Sequence, residues 1–164
     1  AAADAVHVWQ KILEAGEPLG VVPIGLGARD TLRFEVGLPL YGHEISADIS
    51  PLEAGFHTFV KLGKSDFMGR DALLSQTESG IPRKLVGFKM LDKGVPRGGY
   101  DVYADGEQIG FVTTGSYAPS LKQNVGLALV TSSFSGNEID IMVRGKGLKA
   151  HIVPTPLYTK NYKK

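Results

Sequence analysis

Tyr100-Asp-Val-Tyr-Ala-Asp-Gly-Glu-Gln-Ile-Gly-Phe-Val-Thr113 is two alternating runs, Tyr100–Ala104 and Gln108–Thr113, joined through Asp105-Gly106. An Asp-Gly pair adopts positive φ at both central positions of the tight turns whose twist matches paired strands, so the stretch predicts a two-residue hairpin. The same pattern recurs on both sides of it. Lys84–Met90 alternates polar and apolar residues, Asn124–Val130 reads as a further strand, and Ile139–Val143 with Leu148–Val153 forms a second hairpin through Gly145-Lys-Gly147. Short strands at regular spacing, separated by glycine-rich turns, predict a compact antiparallel barrel or sandwich. Thr113-Thr-Gly-Ser-Tyr-Ala-Pro-Ser120 reads as a hydroxyl-rich loop, either lining a groove or making a turn that needs those residues.

The character changes at Ser79-Gly-Ile-Pro-Arg83, and the boundary is placed near Pro82. Residues 83–164 are expected to form the all-β domain, and residues 1–82 an α+β part. Within the latter, Ala3–Ala15 predicts a helix with Val6, Trp9 and Leu13 on an inward stripe and Gly16 as its stop. Gly20–Pro23 is extended. Ser50-Pro-Leu-Glu-Ala-Gly55 opens like a helix but is halted by glycine, which leaves a single turn. Phe56–Leu62 alternates well enough for a strand, and Asp66–Leu74 returns to helix.

Gly25-Leu-Gly-Ala-Arg-Asp-Thr-Leu-Arg-Phe-Glu35 predicts a short helix closed by Gly37, followed by a turn through Pro39 into Tyr41-Gly-His-Glu44. Ala28, Leu32 and Val36 recur at four-residue spacing and should pack inward, with Arg29 and Arg33 one turn apart on another face. Arg29 falls in the first helical turn, where the helix dipole repels a cation by roughly 0.3–1 kcal/mol. That placement reads either as an anion site built from backbone N–H groups and a guanidinium fork, or as a surface pair with a carboxylate such as Asp30. Tyr41, beside Leu40 and Gly42, is either an exposed ring for a flat ligand or an ordinary half-buried tyrosine. Arg97, in Gly94-Val-Pro-Arg-Gly-Gly-Tyr100, either meets an anion or sits in a plain connection. For Asp30, Glu35, Glu44, Asp48 and Glu53, structural or solvated roles are expected.

The totals narrow the classes. Eighteen basic against seventeen acidic side chains in 164 residues leave no electrostatic footprint for nucleic acid. With no cysteine, disulfides and thiolate chemistry are excluded, and His7, His43, His57 and His151 stand too far apart in sequence to suggest a metal site. No apolar run reaches membrane-spanning length, and no nucleophile elbow, P-loop or dinucleotide fingerprint is present. The chain begins Ala1-Ala-Ala-Asp4 without methionine, so it is expected to be part of a longer protein.

Gly25–Glu35, Leu40-Tyr-Gly-His-Glu-Ile45 and Ser50–Gly55 together resemble the aminomethyltransferase (T-protein) family of the glycine cleavage system. The resemblance continues through Lys64–Leu73, Gly94–Arg97, Gly110–Gly115, Ser120–Val125 and Val153–Tyr158, and so covers essentially the whole chain in the family's order. It implies an α+β fold: the end of a folate-binding domain followed by a small antiparallel β-barrel of Greek-key or jelly-roll type. It also implies a reaction in which an aminomethyl group on the lipoyl arm of H-protein loses ammonia and passes its carbon to tetrahydrofolate. The family's catalytic aspartate and pterin-recognising glutamate have no counterpart here, so the chain is expected to be inactive alone. Arg29 matches the family arginine at the folate site, and Tyr41 and Arg33 lie in the same motif, so all three are carried as tetrahydrofolate-binding candidates. Lys160 falls near where relatives place a cation towards the folate tail. The expected partners are lipoylated H-protein and tetrahydrofolate, in the cytoplasm of a bacterium or the mitochondrial matrix of a eukaryote. A folate-dependent demethylase of the same superfamily and a non-catalytic folate-binding or docking module are the alternatives.

Overall fold

The structure, a computed structural model, describes residues 1–159. The chain divides into two compact units, Ala1–Asp30 and the residues from Thr31 onward, so residues 31–82 stand with the barrel. Among the described residues no helix is long and apolar enough to cross a membrane.

The first unit holds α1 (Ala5–Gly16), preceded by a 3-10 turn at Ala2–Asp4, and the opening of α2 (Leu26–Glu35). Of the stripe expected to face inward, Val6 and Trp9 are 68% and 52% exposed and Leu13 is half-buried. The periodicity identified the helix correctly, but thirty residues supply no second layer to cover its apolar face.

The second unit is built on six antiparallel strands: β1 (Arg83–Met90), β2 (Asp101–Ala104), β3 (Glu107–Ala118), β4 (Gln123–Thr131), β5 (Glu138–Val143) and β6 (Lys146–Val153). They close in the order β1-β4-β3-β2-β5-β6, so no strand edge is left open. β2, β3 and β4 follow one another through tight turns while β1 lies beside β4, which is a Greek key. Phe88, Val102, Val112, Val130, Ile139 and Ile141 fill the interior. β3 and β4 approach closely enough that a Cβ on Gly110 would lie 2.0 Å from the Leu129 carbonyl oxygen.

β4 is buried on both faces, and this positions the site. Ala128 and Val130 point into the barrel, whereas Val125 packs outward with Phe34 and Ala118. The inward face of α2 is therefore set by Phe34, which is fully buried, rather than by the Ala28–Leu32–Val36 row; Leu32 is 64% exposed. The helix ends in a Schellman motif: Gly37 N–H bonds the Phe34 carbonyl and Leu38 N–H that of Arg33, with Gly37 at φ 72°.

Three further expectations are corrected. Phe56–Leu62 is not a strand: Phe59 and Val60 N–H groups both bond the Phe56 carbonyl, so the segment closes on itself in turns. α3 (Arg70–Ser79) starts after Gly69, whose φ of 86° breaks the helix expected from Asp66. Finally, Thr113–Ala118 is the second half of β3, not a loop. The Ser50 turn is as expected. Ser50 N–H bonds Glu53 Oε2 and Glu53 N–H bonds Ser50 Oγ, a reciprocal cap on a single turn closed by Gly55. Glu53 Oε1 also accepts from Arg83 Nε at 2.5 Å, tying this turn to the first residue of β1.

Candidate functional site

The site grows from the chain reversal after α2. Leu38–Leu40 run out from the Schellman cap, and Tyr41-Gly-His-Glu44 turns tightly, with Gly42 at φ 89° and its N–H on the Ile45 carbonyl at 2.7 Å. Tyr41 stands 72% exposed, so its ring is not half-buried. Glu44 points inward and is fully buried.

Four donors enclose the Glu44 carboxylate. Arg33 Nη1 at 2.5 Å and Leu40 N–H at 3.1 Å donate to Oε2, while the hydroxyls of Thr113 at 2.9 Å and Thr114 at 2.6 Å donate to Oε1. Adjacent residues of a regular strand face opposite ways, so two consecutive threonines do not ordinarily reach one oxygen. A β-bulge removes the obstacle. Val112 pairs with Ala128 and Thr114 with Leu127, leaving Thr113 as the extra residue that turns both hydroxyls to the same side. Arg33 Nη2 donates to Thr114 Oγ1 at 2.9 Å, closing the network. His43 Nδ1 lies 3.1 Å from the Thr113 carbonyl; a carbonyl only accepts, so Nδ1 carries a proton and donates to it.

A carboxylate saturated by four donors and faced by a guanidinium is not available as a base, so this cluster is a clasp that fixes the Tyr41 turn on the barrel. Beside the turn is a hollow of about 300 Å³ lined by Gly42, His43, Gly98, Gly99, Phe111 and Thr113. Of the sequence candidates, Tyr41 is exposed at the turn and Arg33 is buried in the clasp at 9% exposure. Arg29 is exposed on α2 in the first unit, its N–H taken by the Gly25 carbonyl at 3.2 Å. Arg97 is exposed and donates to Ser116 Oγ, and Lys160 lies outside the described residues. Glu44 has the structural role expected of it, but its meeting with Thr113 and Thr114, read from the sequence only as part of a hydroxyl-rich loop, was not anticipated. The one available signal is that two consecutive threonines interrupt the alternation of an otherwise regular strand. Among the described residues no three His, Asp or Glu side chains are grouped to hold a metal ion.

The second unit thus defines a class: a Greek-key barrel whose outer face carries a helix-and-turn segment locked by a buried ion pair. Residues 83–159 match the family described as the glycine cleavage T-protein C-terminal barrel domain, and residues 1–64 match the GCVT N-terminal domain. The chain is 58% identical over 162 residues to an aminomethyltransferase of Thermoanaerobacter pseudethanolicus, covering 98% of this chain and 44% of that protein. It is 60% identical over 160 residues to an aminomethyltransferase of Lysinibacillus sphaericus, covering 96% of this chain and 44% of that protein. The crystal structure of glycine cleavage system aminomethyltransferase T from Bartonella henselae superposes with a TM-score of 0.83 at 31% identity, over 98% of this chain and 45% of that one. The chain belongs to the glycine cleavage T-protein family. It spans less than half the length of these relatives.

Proposed function

We propose that this chain is the part of a tetrahydrofolate-dependent aminomethyltransferase that supplies one wall of the folate site and the barrel behind it. The longer protein takes an aminomethyl group from the lipoyl arm of H-protein, releases ammonia and forms methylenetetrahydrofolate. The observation that carries this reading is 58% identity over 162 residues to a protein named aminomethyltransferase. In this reading residues 1–82 belong to the folate-binding part and residues 83–164 form the barrel domain. The relatives compared are bacterial, which favours the cytoplasm over a mitochondrial matrix.

The exposed groups suit folate recognition. Tyr41 offers a ring face to a flat ligand, and Arg29 a fork of donors to an anionic or carbonyl-bearing one. Arg33 serves differently from Arg29: its guanidinium is spent on Glu44 and Thr114, so its part is to hold the Tyr41 turn rather than to touch ligand. Chemistry of this kind relies on holding the folate nitrogen close to the methylene carbon, so a wall that fixes orientation contributes to rate as well as affinity. The test is a coupled assay of the longer protein carrying this chain, supplied with tetrahydrofolate. Methylenetetrahydrofolate and ammonia are expected with aminomethyl-lipoyl H-protein, and no turnover with methylated sulfur or amine donors. Turnover of the methylated donors alone would assign a demethylase instead. Tight binding of reduced folate by the 164-residue chain alone would favour a self-contained binding module.

A further inference from the structure

One end of the barrel opens into a cleft of about 650 Å³ between the β1–β2 connection and the tip of the β5–β6 hairpin. Lys93, Arg97, Arg144 and Lys146 rim it, Tyr100 and Leu148 form its wall, and no carboxylate lines it. In a chain with 18 basic and 17 acidic residues, four cations without a counter-charge in one hollow are a local excess. Among the described residues none of the four enters a salt bridge, and the Arg97 guanidinium has only a 3.4 Å hydrogen bond to Ser116 Oγ.

The backbone at the hairpin tip is an independent observation. Arg144-Gly145 has φ of 51° and 80°, nearly the conformation of Asp105-Gly106 at 51° and 83°. Such turns favour Asn or Asp before glycine, because a short polar side chain tolerates the left-handed region and a bulky one does not. The β2–β3 hairpin obeys the preference. The β5–β6 hairpin instead carries an arginine in a disfavoured conformation and thereby sets a guanidinium at the cleft rim.

We propose that this cleft binds a small anion carrying at least two negative charges, as phosphate or carboxylate groups, on an apolar body that packs against Tyr100 and Leu148. Its volume falls within the range of roughly 300–1,000 Å³ of small-molecule sites. Guanidinium forks and ammonium point charges together suit oxyanions of either kind. The near-neutral chain as a whole argues against an extended polyanion such as nucleic acid.

Calorimetric titration of the full chain with phenyl phosphate and with isophthalate tests the proposal, with benzyl alcohol as the uncharged control. At least one dianion should bind saturably and the alcohol should not; the tighter of the two identifies the head group. Arg144→Asn and Lys146→Gln should each weaken binding about fivefold, the scale of one partly exposed charge contact. Arg144→Asn should also raise the thermal midpoint, because it restores the favoured turn residue. Absence of saturable binding by either dianion, or unchanged affinity in both variants, would overturn the assignment.

Discussion

Replacing Glu44 by alanine leaves the Arg33 guanidinium buried beside two hydroxyls without its counter-charge. Loss of one partner from a buried pair costs about 3–5 kcal/mol, and urea denaturation of Glu44→Ala should show a loss of that size. Thr113→Val removes one hydrogen bond to the carboxylate and should cost about 1.5–3 kcal/mol in the same measurement. The paired change Arg33→Met with Glu44→Leu should cost less than Glu44→Ala alone, since it removes both charges together. A structural role for Glu44 was within reach of the sequence, but its partners were not. Glu44 looked like any carboxylate because its hydroxyl partners lie 69 and 70 positions away. Helical spacing places Arg29 and Arg33 on one face and does not say which is buried; the packing of Phe34 on β3 and β4 accompanies the burial of Arg33, while Arg29 is exposed.

At the level of elements, the sequence was most readable where local chemistry dictates the backbone. Asp105-Gly106 locates its hairpin to the residue, Gly37 ends α2, and the Ser50–Glu53 cap forms as its spacing predicts. Alternation alone was less reliable. Phe56–Leu62 has the pattern of a strand but no partner strand, so its N–H groups are satisfied by turns. The second half of β3 is rich in turn-forming residues and still pairs with β4 through the bulge, because tertiary pairing overrides propensity. Two predictions belong here. A Cβ at position 110 would meet backbone, which cannot move aside as a side chain can, so Gly110→Ala should destabilise by on the order of 3 kcal/mol. The Ser50 turn should fail in acid. Burial works to raise the Glu53 carboxyl, but hydrogen bonds from Arg83 and Ser50 together with the Arg83 charge outweigh it and hold the group below its ordinary 4.5. Glu53 therefore contributes stability above that value and loses it as pH falls through the lower folded value. Stability of the native chain should drop over that acid window, and Glu53→Gln should flatten the drop.

On the scale of the whole molecule, the barrel closes every strand edge and buries β4 on both faces, which gives the Tyr41 turn a rigid platform. Strand alternation and turn residues were enough to anticipate an antiparallel barrel or sandwich. They did not reveal where the compact units divide, because the packing of residues 31–82 with the barrel depends on contacts remote in sequence. Function was legible only through the order of motifs along the chain, since an exposed arginine and an exposed tyrosine specify no reaction by themselves. In the proposed function Arg29 is the folate ligand whose role is most directly testable. Its exposure means that removing the side chain should leave the fold intact. The direct measurement is tetrahydrofolate affinity of the longer protein with and without Arg29→Ala. An affinity at least about tenfold weaker at an unchanged thermal midpoint is the predicted result, as expected for loss of a charge-assisted hydrogen bond; equal affinity in the two proteins would contradict it.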